Sequence, residues 1–351
     1  MNSTGTLFRV ELFGESHGPA VGAIIDGTPA GLQLAADDFA DDLARRRAGA
    51  EGTTPRVEAD APELLSGIYQ GRTAGTPICV VFRNADTRSG DYSLFAAMPR
   101  PGHADYTSRI RYGGYSDPRG SGHFSGRVTA GLVAAGVVAK KVLAGVKFST
   151  TILEAGGRKD ITAAVREAAE DGDSIGALVE LRVNGLREGL GEPFFGATES
   201  LVAQALFAVP AVRGVEFGDG FGAAAMRGSQ HNDPIVAPDG TTAKNGSGGV
   251  NGGITNGNEL VVRVAMKPAS SIKKAQETWN FQKGELDELS APGRHDACIA
   301  LRAAVVLEAA LAITLADLEL QARVRDSLII APAPTAQTTR NNVTNQERKP
   351  S

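Results

Sequence analysis

Five histidines are the residues of this 351-residue sequence that could do acid and base chemistry at neutral pH. They are His17, His103, His123, His231 and His295, and each lies beside a glycine or in a polar cluster rather than on an apolar helix face. An imidazole has a reference pKa of about 6.5, so it can donate or accept a proton near pH 7. One histidine taken alone fits a hydrogen-bonded structural role better, but five in such settings favour a functional site.

The histidines do not have the spacing of a metal site. No two are three or four residues apart, as helical ligands would be, and Cys79 and Cys298 lie far from them in the sequence. We therefore predict that no metal is bound. Only two cysteines, and an N-terminus without a basic region followed by an apolar stretch, predict a reducing cytoplasmic location.

Cationic and glycine-rich stretches could bind anionic groups. Arginines crowd residues 100–127, and the glycine-rich stretch 245–257 is followed by Lys267-Pro-Ala-Ser-Ser271. Exposed backbone amides next to guanidinium groups suit phosphate oxygens. The sequence therefore predicts several phosphate-bearing groups, or one phosphorylated cofactor and one phosphorylated substrate. The triplet Arg45-Arg46-Arg47 also has a plain explanation, since cations are favoured at a helix C-terminus.

One dinucleotide-binding motif can be dismissed. Gly220-Phe-Gly-Ala-Ala-Ala225 fits the Gly-x-Gly-x-x-Ala spelling, but residues 227–234 contain Gly, Asn and Pro and end any helix within about two turns. A Rossmann domain is therefore disfavoured. The sequence also lacks the Gly-x-x-x-x-Gly-Lys-Ser/Thr motif of P-loop nucleotide-binding proteins.

The elements that must position these residues are predicted from apolar periodicity. The predicted helices are Asp37–Arg47, Val128–Leu143, Ile161–Asp171, Thr198–Phe207 and Cys298–Arg325. The predicted strands are Leu7–Phe13, Val21–Ile25, Ile78–Phe82, Ile175–Val183, Val212–Phe217 and Glu259–Met266. Helices and strands do not alternate regularly, so a doubly wound parallel sheet is disfavoured.

The composition of the chain predicts its domain organisation and argues against several kinds of partner. Hydrophobic residues make up 42% of the chain, enough for a large core, and we predict a single domain over residues 1–333 with a disordered tail at 334–351. The net charge of −4 argues against nucleic acid or an anionic membrane as the main partner. The longest apolar stretches, 128–139 and 309–316, are too short to span a bilayer.

Motifs from residue 14 to about residue 320 resemble the chorismate synthase family. They are Gly14-Glu-Ser-His-Gly18, Asp26-Gly-Thr-Pro-Ala-Gly31, Arg100-Pro-Gly-His-Ala-Asp-Tyr106, Arg213-Gly-Val-Glu-Phe-Gly-Asp-Gly220, Arg227-Gly-Ser-Gln230, Lys267-Pro-Ala-Ser-Ser271 and Gly293-Arg-His-Asp296. The resemblance implies an α+β fold, a β-α-β sandwich with helices between antiparallel sheets, assembled as a homotetramer.

The resemblance also implies an activity. Members are lyases that convert 5-enolpyruvylshikimate 3-phosphate to chorismate and phosphate, using reduced FMN without net redox change. This reaction suits the histidines, arginines and glycine-rich stretches of the sequence, because its enzyme must hold two phosphorylated molecules together and assist phosphate departure. Two alternatives remain: an inactive flavin- or phosphate-binding protein on the same scaffold, and an FMN-dependent reductase that uses NADPH.

Site roles carry over motif by motif. His17 resembles the acid beside the departing phosphate, His103 the group that protonates or polarises the reduced flavin, and Asp296 a carboxylate that relays a proton. For His17 the plain alternative is a turn histidine, and for Asp296 it is the N-cap of the following helix. The positions that match FMN contacts are His123, Phe124, Ser125, Ala211, Gly252, Lys267, Pro268, Ala269, Ser270, Ser271 and Arg294.

Arg46 and Arg127 match positions for recognition of the substrate phosphate or carboxylate. Their plain alternatives are helix-end solvation for Arg46 and an ordinary ion pair for Arg127. The sequence departs from the family at His123 and Phe124, where many members have Arg and Ser, and at residues 50–52, where the family commonly has an arginine. The second departure weakens a claim for NADPH at that place. Without a reductase domain in view, an external flavin reductase is the favoured source of electrons.

Overall fold

Two antiparallel sheets enclose a layer of helices in the computed structural model, which describes residues 2–49, 52–54, 58–85, 94–291 and 295–329. The strands are β1 Ser3–Thr4, β2 Arg9–Gly14, β3 Ala20–Asp26, β4 Glu63–Ser66, β5 Ile68–Tyr69, β6 Arg72–Thr73, β7 Ile78–Arg83, β8 Lys147–Ala155, β9 Ala177–Asn184, β10 Val212–Phe217, β11 Val250–Asn251, β12 Ile254–Thr255, β13 Leu260–Met266, β14 Gln276–Asn280 and β15 Glu285–Leu289. The α-helices are α1 Ala40–Arg46, α2 Asp105–Arg111, α3 Thr129–Val142, α4 Ile161–Glu170, α5 Thr198–Phe207, α6 Gly228–His231 and α7 Ala300–Ser327.

The first sheet has the strand order β1-β2-β3-β7-β4, and its paired strands are antiparallel. Alternate residues of its central strands face the core: Ala23 pairs with Val80 in register and both are fully buried, whereas Ile24 is exposed. This two-residue alternation is typical of a sheet with one solvated face. Helix α3 packs on the buried face, where Gly131 lies so close to β3 that a Cβ atom would stand 2.5 Å from the carbonyl oxygen of Gly22.

The second sheet has the order β10-β13-β9-β8, also antiparallel. Its core face buries Val179 and Leu181 of β9 beside Val262 and Val264 of β13. Helix α7 packs on this sheet and on α3, so the two long helices form the middle of the sandwich. The helices approach closely at Gly136, where a side chain would overlap Ala309.

The α+β fold with helices between antiparallel sheets is confirmed. Thr198–Phe207 and Val212–Phe217 were predicted with the observed bounds, and the other predicted helices and strands are present with shifts of one to two residues at their ends, apart from the first helix. The prediction of one helix over Asp37–Arg47 is wrong: a 3-10 turn, Ala36–Phe39, leads into α1. Strand β8, helix α2 and the hairpin β14–β15 were not predicted.

The structure bears on two exclusions made from the sequence, that of a dinucleotide-binding motif and that of a membrane-spanning helix. Gly220–Ala225 forms a 3-10 helix that is followed by the four-residue helix α6, so this stretch has no long helix for a dinucleotide, as predicted. Within the described residues, no helix combines the length and apolar character needed to cross a membrane. The predicted tail, residues 334–351, lies outside the described residues, as do Arg294 and residues 50–51.

Candidate active site

A buried carboxylate pairs with two arginines in the wall of a cavity of about 240 Å³. Asp60 Oδ2 accepts a hydrogen bond from Nη2 of Arg46 at 2.6 Å, and Asp60 Oδ1 accepts one from Nη1 of Arg127. None of the three side chains is more than 4% exposed. A buried charge is costly unless it is paired, so these three side chains form a buried ion-pair cluster in the cavity wall rather than solvated surface charge. The helix-end solvation alternative for Arg46 is therefore wrong, whereas Arg127 does form an ion pair.

The electrostatics of this cluster favour an anion. Burial, helped by the charges of Arg302 and Arg127 and opposed by Asp60, lowers the pKa of Arg46 to about 10. Burial would raise the pKa of Asp60, but the two arginine charges hold it below its ordinary value. Nε of Arg46 is buried and makes no hydrogen bond to the described part of the chain. An anionic oxygen in the cavity would supply the missing acceptor and stabilise the charged guanidinium.

Local structure explains how these arginines reach one place. Arg46 is the last residue of α1, and Arg127 lies in the 3-10 turn Gly126–Val128 that leads into α3. Ser125 caps this turn, since its Oγ accepts a hydrogen bond from the backbone N–H of Arg127 at 3.3 Å. Ser125 and Gly126 line the cavity, and nothing lies within 4 Å of the place where Gly126 would carry a side chain. The wall here is bare backbone, open to a ligand.

Asp296 lines the same cavity and is held by two partners. Its Oδ1 accepts a hydrogen bond from the backbone N–H of Thr54 at 2.8 Å, and its Oδ2 accepts one from Nη1 of Arg302 at 3.1 Å. Arg302 also donates from Nε to the backbone oxygen of Arg46 at 3.1 Å, which connects the carboxylate to the arginine cluster. The N-cap interpretation of Asp296 is wrong, because Ile299 occupies the cap position of α7.

His17 packs on the cavity wall. It is 9% exposed, and a Cβ atom at Gly120 would lie 2.6 Å from Nε2 of the imidazole, so the ring rests on the backbone of this cavity-lining residue. Gly120 has a φ of +59°, a left-handed conformation that suits glycine. A side chain at position 120 would therefore displace His17. Asp117 is nearby, and the hydrogen bond from Arg119, with a contribution from His17, lowers the pKa of its carboxyl group.

His103 belongs to a network that is centred on Arg100. The Arg100 side chain is 4% exposed, and it donates from Nε to Asp105 at 2.8 Å and from Nη2 to Ser121 Oγ at 2.9 Å. Nη1 of the same guanidinium donates to Ser271 Oγ at 2.9 Å. His103 Nδ1 lies 2.7 Å from Asp105 Oδ1, and its Nε2 lies 3.4 Å from Ser121 Oγ. The two histidines thus contact consecutive residues, Gly120 and Ser121, of one loop.

Several positions that match FMN contacts lie next to this network. Lys267 donates to the backbone oxygen of Gly102 at 2.8 Å, and so does Ser270 through its hydroxyl. Burial, with the charge of Arg213, lowers the pKa of Lys267. Ala211 has a φ of +76° and accepts a hydrogen bond from the backbone N–H of Lys267 at 2.9 Å. These contacts connect the 267–271 segment to His103 and to the 119–124 loop.

The other positions that match FMN contacts have different surroundings. His123 Nδ1 donates to the backbone oxygen of Gly14 at 2.8 Å, and Phe124 meets Tyr112 edge-on with ring centroids 6.1 Å apart. Pro268 and Ala269 lie within the 267–271 segment. Gly252 is at the tip of the β11–β12 hairpin and does not belong to the lining of the 240 Å³ cavity.

The sequence interpretation gave no role to four residues of this site: Asp60, Asn84, Asp105 and Arg302. Asp105 follows His103 by two residues within a quoted motif, so local spacing was a usable signal there. Asp60, Asn84 and Arg302 reach the site through tertiary folding alone, and the sequence holds no local sign of it. His231 and His295 have partners elsewhere, Asp219 and the backbone oxygen of Ala291.

Fold and site together define a class: an α+β protein whose cationic cavity, lined by four arginines and three carboxylates, suits phosphorylated or carboxylated ligands. Comparisons with known proteins narrow this class. The family model described as chorismate synthase matches residues 8–320, and the chain therefore belongs to the chorismate synthase family.

Relatives and a solved structure agree with this assignment. The chain is 54% identical to a chorismate synthase of Chitinophaga pinensis over 318 residues, covering 90% of this chain and 96% of the relative. It is 47% identical to a chorismate synthase of Syntrophobacter fumaroxidans, covering 90% and 96%. A crystal structure of chorismate synthase matches with a TM-score of 0.69 and 27% identity, covering 91% of this chain and 93% of the other.

Proposed function

We propose that this protein eliminates phosphate from 5-enolpyruvylshikimate 3-phosphate in a 1,4-elimination that yields chorismate, as a carbon–oxygen lyase that requires reduced FMN. One observation carries this proposal. His17 and His103 contact consecutive residues of a loop, Gly120 and Ser121, and Gly120 lines the same cavity as Arg46, Arg127 and Asp296. His17 thereby lies against the wall that holds the anion-binding groups and a carboxylate, and His103 lies against the next residue of the loop.

The donor set fits a phosphorylated flavin. Gly126 and Gly252 both have open space where a side chain would stand, and Lys267, Ser270 and Ser271 supply an ammonium and two hydroxyls. The residues that would hold FMN are His123, Phe124, Ser125, Ala211, Gly252, Lys267 to Ser271, and Arg294. Bound reduced FMN would supply electron density as the phosphate leaves, with no net redox change.

The chain's own groups do the binding and proton chemistry. Arg46 and Arg127 bind the phosphate or carboxylate of the substrate, since both guanidinium groups are buried at the cavity wall. His17, which rests on Gly120, donates a proton at Nε2 to the departing phosphate. His103 exchanges a proton at Nε2, because Asp105 occupies Nδ1. Asp296 accepts the proton from the substrate side, oriented by Thr54 and Arg302.

The resemblance to the chorismate synthase family adds further properties to this proposal. They are a single catalytic domain over residues 1–333, a cytoplasmic location, a homotetramer, and reduction of FMN by NADPH, with an external flavin reductase as the electron donor. Incubation of the FMN-loaded protein with NADPH alone tests the last point. Bleaching of the bound flavin without any other protein would show that the chain reduces its own cofactor.

An anaerobic assay with pre-reduced FMN and 5-enolpyruvylshikimate 3-phosphate tests the reaction. Formation of chorismate and phosphate in equal amounts, without consumption of FMN, supports the proposal. Flavin binding without chorismate would instead support an inactive binding protein. NADPH consumption without elimination would support a reductase.

A further inference from the structure

One side chain connects the turn that carries His17 to Arg127. Asn84 donates from Nδ2 to the backbone oxygens of Glu15 at 3.0 Å and Gly18 at 2.8 Å. Its Oδ1 accepts a hydrogen bond from Nε of Arg127 at 2.9 Å. The amide orientation follows from the partners, because carbonyl oxygens only accept and a guanidinium group only donates. Both donor hydrogens and the acceptor of Asn84 are therefore used.

The turn itself is short and closed. Gly18 donates from its backbone N–H to the oxygen of Glu15 at 3.0 Å, so His17 lies inside a four-residue turn whose two end carbonyls are both bound by Asn84. Asn84 follows β7, and its backbone N–H donates to Pro19 at 3.2 Å. The backbone around Asn84 is thus fixed by the first sheet, and its amide transmits that position to the turn.

The opposite side of the turn is held by the 119–124 loop. Ser16 donates from its backbone N–H to the oxygen of Gly122 at 3.0 Å, and His123 donates to Gly14 at 2.8 Å. Those contacts place His17 against Gly120, but they do not touch Arg127. Among these contacts, only those of Asn84 reach an arginine of the Asp60 cluster.

We propose that Asn84 is a positioning residue for the elimination: it sets the place of the His17 imidazole relative to Arg127. This inference rests on the proposed function, since its readout is turnover. A proton donor and an anion-binding guanidinium must meet the same departing phosphate, and displacement of one by about 1 Å can cost about a hundredfold in rate. Asn84 makes no hydrogen bond to the His17 imidazole and does not line the cavity. It acts through the turn that carries His17 and through Arg127.

A double-mutant cycle separates positioning from a general structural role. Asn84→Ala is expected to lower kcat by about tenfold or more and to raise the KM for 5-enolpyruvylshikimate 3-phosphate, because both links are lost. In the His17→Ala background, the same substitution should lower kcat by less than about twofold, because the group it positions is gone. A purely structural effect would instead appear at full size in both backgrounds.

The variants need matched controls. Asn184→Ala removes an amide that donates to Glu259 at 2.6 Å at the end of β9, and it should leave kcat and KM at wild-type values. If Asn84→Ala does not fold, as judged by thermal unfolding, Asn84→Asp replaces it in the cycle. The aspartate keeps the volume and an acceptor for Arg127 but turns a carboxylate oxygen toward two carbonyl oxygens, so it should also lose turnover.

Each outcome has one meaning. Wild-type kcat in the single Asn84 variants, or an undiminished loss in the His17→Ala background, overturns the positioning role while the proposed function stands. Absence of chorismate with the wild-type protein refutes the proposed function itself, and the inference falls with it. A large loss of kcat that nearly vanishes without His17 supports the inference.

Discussion

The Asp105 carboxylate accepts a hydrogen bond from the His103 imidazole, with Oδ1 2.7 Å from Nδ1. Since a carboxylate can only accept, Nδ1 carries its hydrogen, which leaves Nε2 as the nitrogen that would exchange protons in the proposed reaction. Burial would raise the pKa of Asp105, but the hydrogen bonds from Arg100 and His103 hold it well below its ordinary value. The carboxylate therefore stays ionised at neutral pH and keeps the ring in one orientation.

His103→Ala should lower turnover while FMN binding is retained. The expected loss in kcat exceeds about tenfold, the low end for lost acid–base assistance, because the variant removes the proton-exchanging Nε2 beside Ser121. His231→Ala is the matched control, since His231 also pairs with an aspartate, Asp219, at 3.0 Å but outside this network. Steady-state assays and flavin titration measure both variants. Wild-type turnover in His103→Ala would contradict the role given to this histidine.

Arg46→Ala should act mainly on substrate binding. A hydrogen bond to a charged group contributes about 1.5–3 kcal/mol, so the KM should rise by about ten- to a hundredfold, with a smaller change in kcat. The surface variant Arg158→Ala breaks an exposed pair with Glu167 and should leave KM unchanged. An unchanged KM in Arg46→Ala, with the variant folded, would remove Arg46 from the substrate site.

The fold could be predicted from the sequence because apolar residues recur at regular spacing in the segments that form the core. Thr198–Phe207 and Val212–Phe217 were predicted with the observed bounds; the helix buries Val202 and Leu206 and packs on α7, and the strand buries Val212. Strand β8 was missed because its first half is polar: Phe148 is the one apolar residue among Lys147–Thr151, so no clear alternation marks it as a strand. Periodicity carries no signal where polar residues occupy both faces of a strand.

The candidate site could be predicted only where chemistry and local sequence coincide. His17 and His103 lie in glycine-flanked motifs, so their residue type and neighbours were informative. Asp60 was not predictable, because its role depends on meeting Arg46 and Arg127 from two other segments. Its backbone adds a second feature invisible in the sequence, a φ of +49° that aspartate tolerates better than most residues.

Asp60→Asn should destabilise the protein and strengthen anion binding at the same time. Asparagine tolerates the same backbone conformation, but the substitution removes the charge that compensates two buried arginines and turns an amide NH2 toward one of them. The free energy of unfolding should fall by about 3–5 kcal/mol, the usual loss when a buried ion pair loses one partner. Inorganic phosphate should then raise the melting temperature more than it does for the wild type, because an anion replaces the missing charge.

Denaturant unfolding measures the loss of stability, and thermal unfolding with and without phosphate measures the effect of the anion. Asp239→Asn, at an exposed turn where the carboxylate only caps Thr241, is the control and should change neither. Equal phosphate stabilisation in Asp60→Asn and wild type would show that the arginines of this cluster do not bind anions.

Glu308 should make stability depend on pH in the acid range. It is 4% exposed and joins four elements: Arg45 of α1, Lys140 of α3 and Thr150 of β8 all donate to this carboxylate of α7. Burial would raise its pKa, but the hydrogen bonds and charges of Arg45 and Lys140 lower it from 4.5 to about 2. A folded-state pKa below the unfolded value means that the stabilisation is complete above about pH 4.5 and is lost as the pH falls toward 2.

That shift corresponds to about 3 kcal/mol of unfolding free energy, since one pKa unit is about 1.4 kcal/mol. Glu308→Gln should therefore lower stability at pH 7 by up to about 3 kcal/mol, because the partly exposed Arg45 and Lys140 lose their charged partner, and flatten the dependence between pH 4.5 and 2. Glu319→Gln, on the same helix, breaks a pair with the half-exposed Arg323 and should cost less than about 1 kcal/mol. If urea unfolding at several pH values gave Glu308→Gln and wild type the same slope, the acid sensitivity would have to arise from other carboxylates, and Asp60 and Asp105 would be the next to test, since both also have lowered pKa values.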